Sequence, residues 1–214
     1  MQLKVVCVSR TLAASGDGIG RAVADRLAFR VVDSEVIQRA AEKAGLDAHQ
    51  VEEVERRRPL FHRLFASLRS RGLPADGSYQ RETTLSEAAT AAGAGTEARL
   101  RTLIRESIEE IAAEGRVVLI AHAASLALAG RDDVLRVLVT ASPETRVRRL
   151  VQLSGASVAE ARSAVSASDL ARAEYLRRFY GVAQEQPTHY DLVVNTDTLT
   201  PEQAVELIHA AAVR

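Results

Sequence analysis

The sequence predicts an α/β fold, a five-stranded parallel sheet with helices on both faces. Three observations predict it. Short β-branched apolar runs recur along the chain without the alternation of a half-exposed strand, as expected of strands buried on both sides. Helical sequence separates the runs, which is the connection that parallel strands require. Polar or glycine-bearing segments follow the runs, where the ligand-binding rim of such a sheet lies. The 214 residues, 47% of them apolar, suffice for one compact domain and are tight for two, so residues 1–214 are read as a single domain.

The elements follow in order. Leu3 to Val8 is the first strand and stops at Ser9 and Arg10. After Ser15-Gly16-Asp17-Gly18, apolar Ile19, Val23 and Leu27 recur at i, i+4 and i+8, the spacing of one helical face. Phe29 to Val32 is the second strand; it ends at Asp33, and Ser34 is placed to cap a helix that Gly45 stops. Residues 48–96 form a variable insertion. Helical pieces are expected at 48–57 and 60–70, and a Gly/Ala/Ser/Thr-rich loop from Gly72 to Gly95. Leu100, Leu103, Ile104, Ile108 and Ile111 then predict a helix over 97–114, closed by Gly115. Val117 to Ile120, Val134 to Thr140 and Leu192 to Asn195 complete the strands.

Charge excludes some functions. The 28 basic and 28 acidic residues cancel, so no overall field favours nucleic acid or an anionic membrane. Of the basic residues 26 are arginine, leaving Lys4 and Lys43 as the two lysines that any lysine-dependent step would have to use. Lone Cys7 excludes an internal disulfide and a cysteine metal cluster, and His49, His62, His189 and His209 lack metal-ligand spacing, so no protein-held metal is expected. No run reaches the ~18–20 apolar residues of a membrane span, and the first residues carry too short an apolar run for a signal peptide. A cytoplasmic protein is the expectation. The arginines at 56–71 interleave Leu60, Phe61, Leu64, Phe65 and Leu68, giving an amphipathic helix. Its apolar face is expected to pack on the core or on a second copy in a homodimer; binding an acidic partner or nucleic acid is the minority reading.

Chemistry is expected just past the strands, at Ser9 to Gly20, Asp33 to Glu35, His122 to Ser125 and Thr140 to Ser142. The first is a glycine-containing loop feeding a helix, where backbone N–H groups and the helix dipole cradle anions. A glycine turn that binds nothing is the alternative. Gly16, Gly18 and Gly20 fit neither the Walker pattern, which needs a following lysine, nor the dinucleotide spacing. Serine-hydrolase chemistry lacks its G-x-S-x-G elbow.

Several separately placed segments resemble the cytidylate kinase-like family, relatives of bacterial cytidylate kinase among the P-loop nucleoside monophosphate kinases. They are Ser9-Arg10, Ala13-Ala14-Ser15-Gly16-Asp17-Gly18, Ile19-Gly20-Arg21, Asp33-Ser34-Glu35, the stretch ASPETRVRRLVQL at 141–153, Asp169-x-x-Arg172 with Tyr175, and Pro187-x-x-Tyr190-Asp191-Leu192 with Asn195-Thr196 and Glu202-x-x-Val205. The resemblance covers about 1–47 and 97–212.

It implies a P-loop NTPase-like sheet with a helical lid at 143–186, and ATP-dependent phosphoryl transfer to a nucleoside monophosphate, CMP or dCMP foremost. ATP is the implied cofactor, with Mg²⁺ carried by the nucleotide. Ser9, Arg10, Ser15, Gly16, Asp17, Gly18 and Ile19 are the implied donor-phosphate residues, and Asp33, Glu35 and His122 the acceptor residues. Arg146, Arg149 and Arg172 would clamp the transferring oxygens, since guanidinium forks match phosphate geometry, with Asp169 orienting Arg172. A solvated surface pair is the plain alternative for Asp169. Three features depart from the family pattern; the missing lysine does not, since many members of the family also lack it. Ala13 and Ala14 stand where Gly or Ser is usual, and alanine resists left-handed backbone. Asp17 adds negative charge to an anion loop. His122 replaces an arginine, and it is either a weak phosphate grip or a strand-end hydrogen-bonder. The competing function is a catalytically degenerate nucleotide-binding or interaction protein that keeps the fold.

Overall fold

All five expected runs become strands, and they pair in parallel in the order β2-β3-β1-β4-β5. The computed structural model describes residues 3–33, 35–45, 94–121 and 123–213. Ser34, His122 and the insertion from 46 to 93, with both expected helical pieces, most of the loop and the arginine-rich segment, lie outside the described residues. The strands are β1 (Val5–Arg10), β2 (Arg30–Val32), β3 (Val117–Ile120), β4 (Val134–Thr140) and β5 (Leu192–Asn195). The helices are α1 (Gly16–Leu27), α2 (Glu35–Ala44), α3 (Ala94–Glu114), α4 (Ala124–Ala127), α5 (Pro143–Ser154), α6 (Val158–Tyr180) and α7 (Pro201–Ala212).

β1 runs two residues further than its apolar stretch. Ser9 and Arg10 pair with Leu138 and Val139 of β4, and both are buried. Hydropathy marks the end of an apolar run, whereas the ladder ends where the partner strand does, and β4 is seven residues long. Successive side chains of β1 then point to opposite faces. Val5 and Cys7 pack with α2, α3, α4 and the second half of α6. Val6 and Val8 pack with Ile19 and Val23 of α1 and with Val205 and Ile208 of α7. A third cluster joins Leu12, just past β1, to Val147 and Leu150 of α5 and to Ala161, Ala164 and Val165 of α6.

Caps fix where the later helices start. The Ser142 side chain accepts from the Thr145 N–H at the head of α5. Ser157 with Glu160 and Thr200 with Gln203 form capping boxes at α6 and α7. Gly155 and Gly181 end α5 and α6 in the left-handed region, which alanine enters only at a cost. Among the described residues no helix is long and apolar enough to cross a membrane.

Candidate active site

β1 is the central strand, so the segment after it opens at the middle of the carboxyl rim. Thr11 N–H donates to the Val139 carbonyl (3.1 Å) and Ala14 N–H to Thr11 O (3.2 Å), folding residues 11–14 into a tight turn. Ala13 (φ 60°) and Ser15 (φ 66°) adopt left-handed backbone. Each such non-glycine residue costs about 1–2 kcal/mol and persists where the surroundings over-determine it. Ser15 caps α1 through its backbone alone, with no side-chain capping bond. The first-turn N–H groups of a helix have no intrahelical acceptor, so this turn presents donors and a positive dipole end at the rim.

The three glycines have different duties. A Cβ on Gly16 would sit 2.5 Å from Arg10 Cβ, and one on Gly20 2.8 Å from Ile120 Cδ1, whereas one on Gly18 would meet nothing within 4 Å. Gly16 and Gly20 are therefore packing residues, and Gly18 leaves open space on the exposed side of the first turn.

Beneath the loop, Arg10 Nε lies 2.7 Å from Asp17 Oδ1, with side-chain exposures of 2% and 42%. The negative charge that the sequence adds to the loop is thus matched by a buried guanidinium. Ser9 Oγ donates to Ala121 O (3.2 Å) and meets Ser125 Oγ (3.3 Å), linking the ends of β1 and β3 to α4. Neither lysine reaches the loop. Lys4 precedes β1, about 20 Å away along the six-residue strand, and Lys43 pairs with Glu110 at 2.7 Å.

The α5 and α6 arginines converge on this rim already partnered. Arg146, 5% exposed at its side chain, donates Nη1 and Nη2 to the two Asp169 oxygens at 2.8 and 2.7 Å. Asp169 thus forks onto Arg146, 23 residues away, and the Arg172 fork falls to a carboxylate that sequence reasoning missed. Arg172 gives Nε and Nη2 to Glu185 (2.9 and 2.5 Å), Nη1 to the Arg10 carbonyl (3.4 Å) and Nη2 to Tyr190 Oη (3.2 Å). Tyr190 Oη in turn donates to Glu185. Burial alone would raise the Glu185 carboxyl, but the bonds and charge of Arg172, with the Tyr190 bond, hold it below its ordinary value. Burial, reinforced by the Glu185 charge, pushes the Tyr190 hydroxyl up to about 12. Arg149 is engaged with backbone, donating to Ala13 O (3.3 Å), Thr196 Oγ1 (2.9 Å) and Thr196 O (2.6 Å).

The acceptor-side carboxylates are each paired with arginine. Asp33 pairs with Arg21 at 2.6 Å. Glu35 is held by Arg30 and Arg39, which also reach Glu114, so its carboxylate belongs to the α2–α3 seam. His122 is outside the described residues. A cleft of about 710 Å³ opens between α3, α4 and the end of α6, lined in part by Arg101, Arg105, Leu126 and Tyr180. Its arginines stand in an ordinary amphipathic helix, which gave no signal in the sequence. Among the described residues no group of three His, Cys, Asp or Glu is placed to hold a metal.

A 2-3-1-4-5 parallel sheet with a strained loop leading from the central strand into a helix is a P-loop-type α/β fold. The chain belongs to the cytidylate kinase-like family, whose profile matches residues 5–198. A cytidylate kinase of Ignicoccus hospitalis is 33% identical over 105 residues, 49% of this chain and 60% of that protein. The match thus spans about 60% of the curated relative's length. Among solved structures, an uncharacterized protein of Eubacterium ventriosum superposes with TM-score 0.64 at 11% identity, covering 99% of this chain and 98% of the other. The TT1252 protein of Thermus thermophilus gives 0.53 at 18%, covering 100% of both chains. At these identities the two structures bear on fold alone.

Proposed function

We propose that the protein transfers the γ-phosphoryl group of ATP to a nucleoside monophosphate, CMP or dCMP foremost. The single observation that carries this reading is the strained loop before α1, with Arg172 reaching the Arg10 carbonyl at its base and Arg146 forked onto Asp169 between the two helices that follow β4. Family membership supports it, and the cytidylate kinase likeness favours the cytidine acceptor. In the reaction an acceptor phosphate oxygen bonds to the γ-phosphorus as the bond to the bridging oxygen of ADP breaks, giving ADP and a nucleoside diphosphate. Such transfer asks the protein for alignment and positive charge more than for covalent participation.

The roles follow from the chemistry of each group. The donors of residues 15–18 receive the ATP phosphates. Arg146 and Arg172 stabilise the charge on the transferring oxygens. Asp169 and Glu185 hold those guanidiniums in one orientation beforehand, so that little reorganisation is needed at the moment of transfer. Magnesium carried by the nucleotide would neutralise phosphate charge when bound; the residues fit that arrangement, since Asp17 is engaged by Arg10 and Mg²⁺ commonly takes phosphate and water ligands. The acceptor is assigned to the cleft holding Arg101 and Arg105, next to the end of β3.

A coupled assay of ADP release across the nucleoside monophosphates tests the reading, with CMP and dCMP expected to turn over fastest. Folded protein that turns over none of them overturns it. A second reading, a nucleotide-binding protein without turnover, is favoured by two observations. No lysine stands at the loop, and both clamp arginines already have carboxylate partners. Calorimetry with ATP and CMP separates the two, because binding without turnover supports the second.

A further inference from the structure

We infer that Arg149 and Thr196 are positioning residues that lock the peptide planes of the phosphate loop, and that Arg149 does not clamp the transferring group. The inference rests on the proposed reading that this loop holds the ATP phosphates. Its basis is a set of hydrogen bonds made to the loop from behind. Arg149 Nη1 donates to the Ala13 carbonyl at 3.3 Å. Thr196 Oγ1 lies 3.1 Å from the Ala14 carbonyl and 3.2 Å from Thr140 O. The two residues are themselves joined by Nη1 to Thr196 Oγ1 (2.9 Å) and Nη2 to Thr196 O (2.6 Å). Thr196 N–H donates to Thr140 O at 2.8 Å, fixing it to the end of β4, and it is 1% exposed.

In a trans peptide the carbonyl and the next N–H point in opposite directions. Holding the Ala13 and Ala14 carbonyls on the Arg149–Thr196 side therefore turns the following N–H groups the other way. The Ala14 N–H meets Thr11 O inside the turn, and the Ser15 N–H is directed to the face away from Thr196, beside the first turn of α1. Ala13 and Ser15 sit in left-handed backbone, a conformation that an unsupported alanine or serine leaves readily. A guanidinium donating to a strained carbonyl supplies that support. Three of the Arg149 contacts are spent on protein oxygens, which is the work of an anchor.

The test compares Arg149→Ala, Thr196→Val and Thr196→Ser, with ATP affinity measured by calorimetry, kcat and KM by the coupled assay, and amide hydrogen exchange followed over residues 13–18. A valine keeps the shape of threonine and removes the hydroxyl; a serine restores it. Arg149→Ala and Thr196→Val are expected to weaken ATP binding about tenfold, the loss for one or two such bonds, and to speed amide exchange in the loop. kcat at saturating ATP and the acceptor KM stay within about threefold, and Thr196→Ser recovers most of the affinity. Should Arg149→Ala compromise folding, as judged by thermal unfolding, the Thr196 pair decides. Unchanged ATP affinity in Thr196→Val, or an Arg149→Ala protein that loses kcat at unchanged ATP affinity, overturns the inference while leaving the kinase reading intact. Wild-type protein that binds no ATP overturns both.

Discussion

The Arg146–Asp169 and Arg172–Glu185 pairs differ in how far they depend on their partners. Asp169 is 41% exposed at its side chain, so it can rehydrate when its partner is removed. Arg146→Ala is therefore expected to leave the fold intact. If Arg146 stabilises the transition state, kcat falls about 100-fold while ATP affinity moves less than threefold. An equal loss in both would assign it to ground-state binding. Arg172 and Glu185 are 5% and 23% exposed, and an unpaired buried charge is costly. Glu185→Gln should lose about 3 kcal/mol of stability at pH 7. The native carboxyl lies below its ordinary value, so the unfolded chain takes up the proton first as pH falls. The contribution of Glu185 is complete above about pH 4.5 and fades as pH drops through the lowered native value. Urea unfolding at pH 7 and pH 3 should thus show the gap between wild type and variant narrowing in acid. Glu114 and Asp191 are also held low, arginine bonds outweighing burial; being common to both proteins, they cancel in that difference. None of these pairings was legible in the sequence. An i, i+3 spacing offers Asp169 to Arg172, and only the crossing of α5 and α6 gives it to Arg146.

At the scale of elements, β3, β4 and β5 were legible to the residue: β3 is buried throughout and β4 nearly so, as their apolar runs require, whereas β5 is a largely exposed edge strand that shows through its Leu-Val-Val run. β1 was displaced at its ends, where pairing partners decide, α3 begins at Ala94, ahead of its apolar periodicity, and four-residue α4 is too short to leave a periodicity. The capping boxes at Ser157 and Thr200 were present as sequence patterns but went unread. The end of α1 is a case in which the sequence resists its own structure. Ala28 takes φ 53° as the C-cap, its N–H reaching the Ala24 and Asp25 carbonyls, a place that glycine fills at lower cost. Ala28→Gly should stabilise the protein by about 1 kcal/mol, read as a higher denaturant midpoint with an unchanged slope. The α2–α3 seam gives a contrasting prediction. Glu35 joins Arg30 and Arg39 at partly exposed positions, and such pairs contribute ~0.2–1 kcal/mol each. Glu35→Gln should cost about 1 kcal/mol, less at high salt, and leave the acceptor KM unchanged. A raised acceptor KM would return Glu35 to the acceptor site that its sequence motif implies.

For the whole molecule, the decisive arrangement is that the strand feeding the loop proposed to hold phosphate is also the centre of the sheet, so the loop is anchored to the most protected part of the structure. Cys7 reports on that part. It lies in β1 between β3 and β4 with no exposed surface, and burial, only partly offset by Arg136 and Arg131, pushes its thiol up to about 12. Thiolate is the reactive form, so the native protein should be inert to alkylation near neutral pH. Labelling requires β1 to separate from its neighbours, an opening close to global unfolding. A ligand bound only by the native state adds RT ln(1 + [L]/Kd) to that opening. When opening and closing are fast relative to labelling, Cys7 modification should slow about 100-fold at ATP concentrations near 100 times Kd. Mass spectrometry of the lone cysteine measures this without any assay of turnover. Slowing by ATP together with absence of turnover would identify a nucleotide-binding protein that has lost catalysis, whereas labelling indifferent to ATP would deny that the loop holds nucleotide at all.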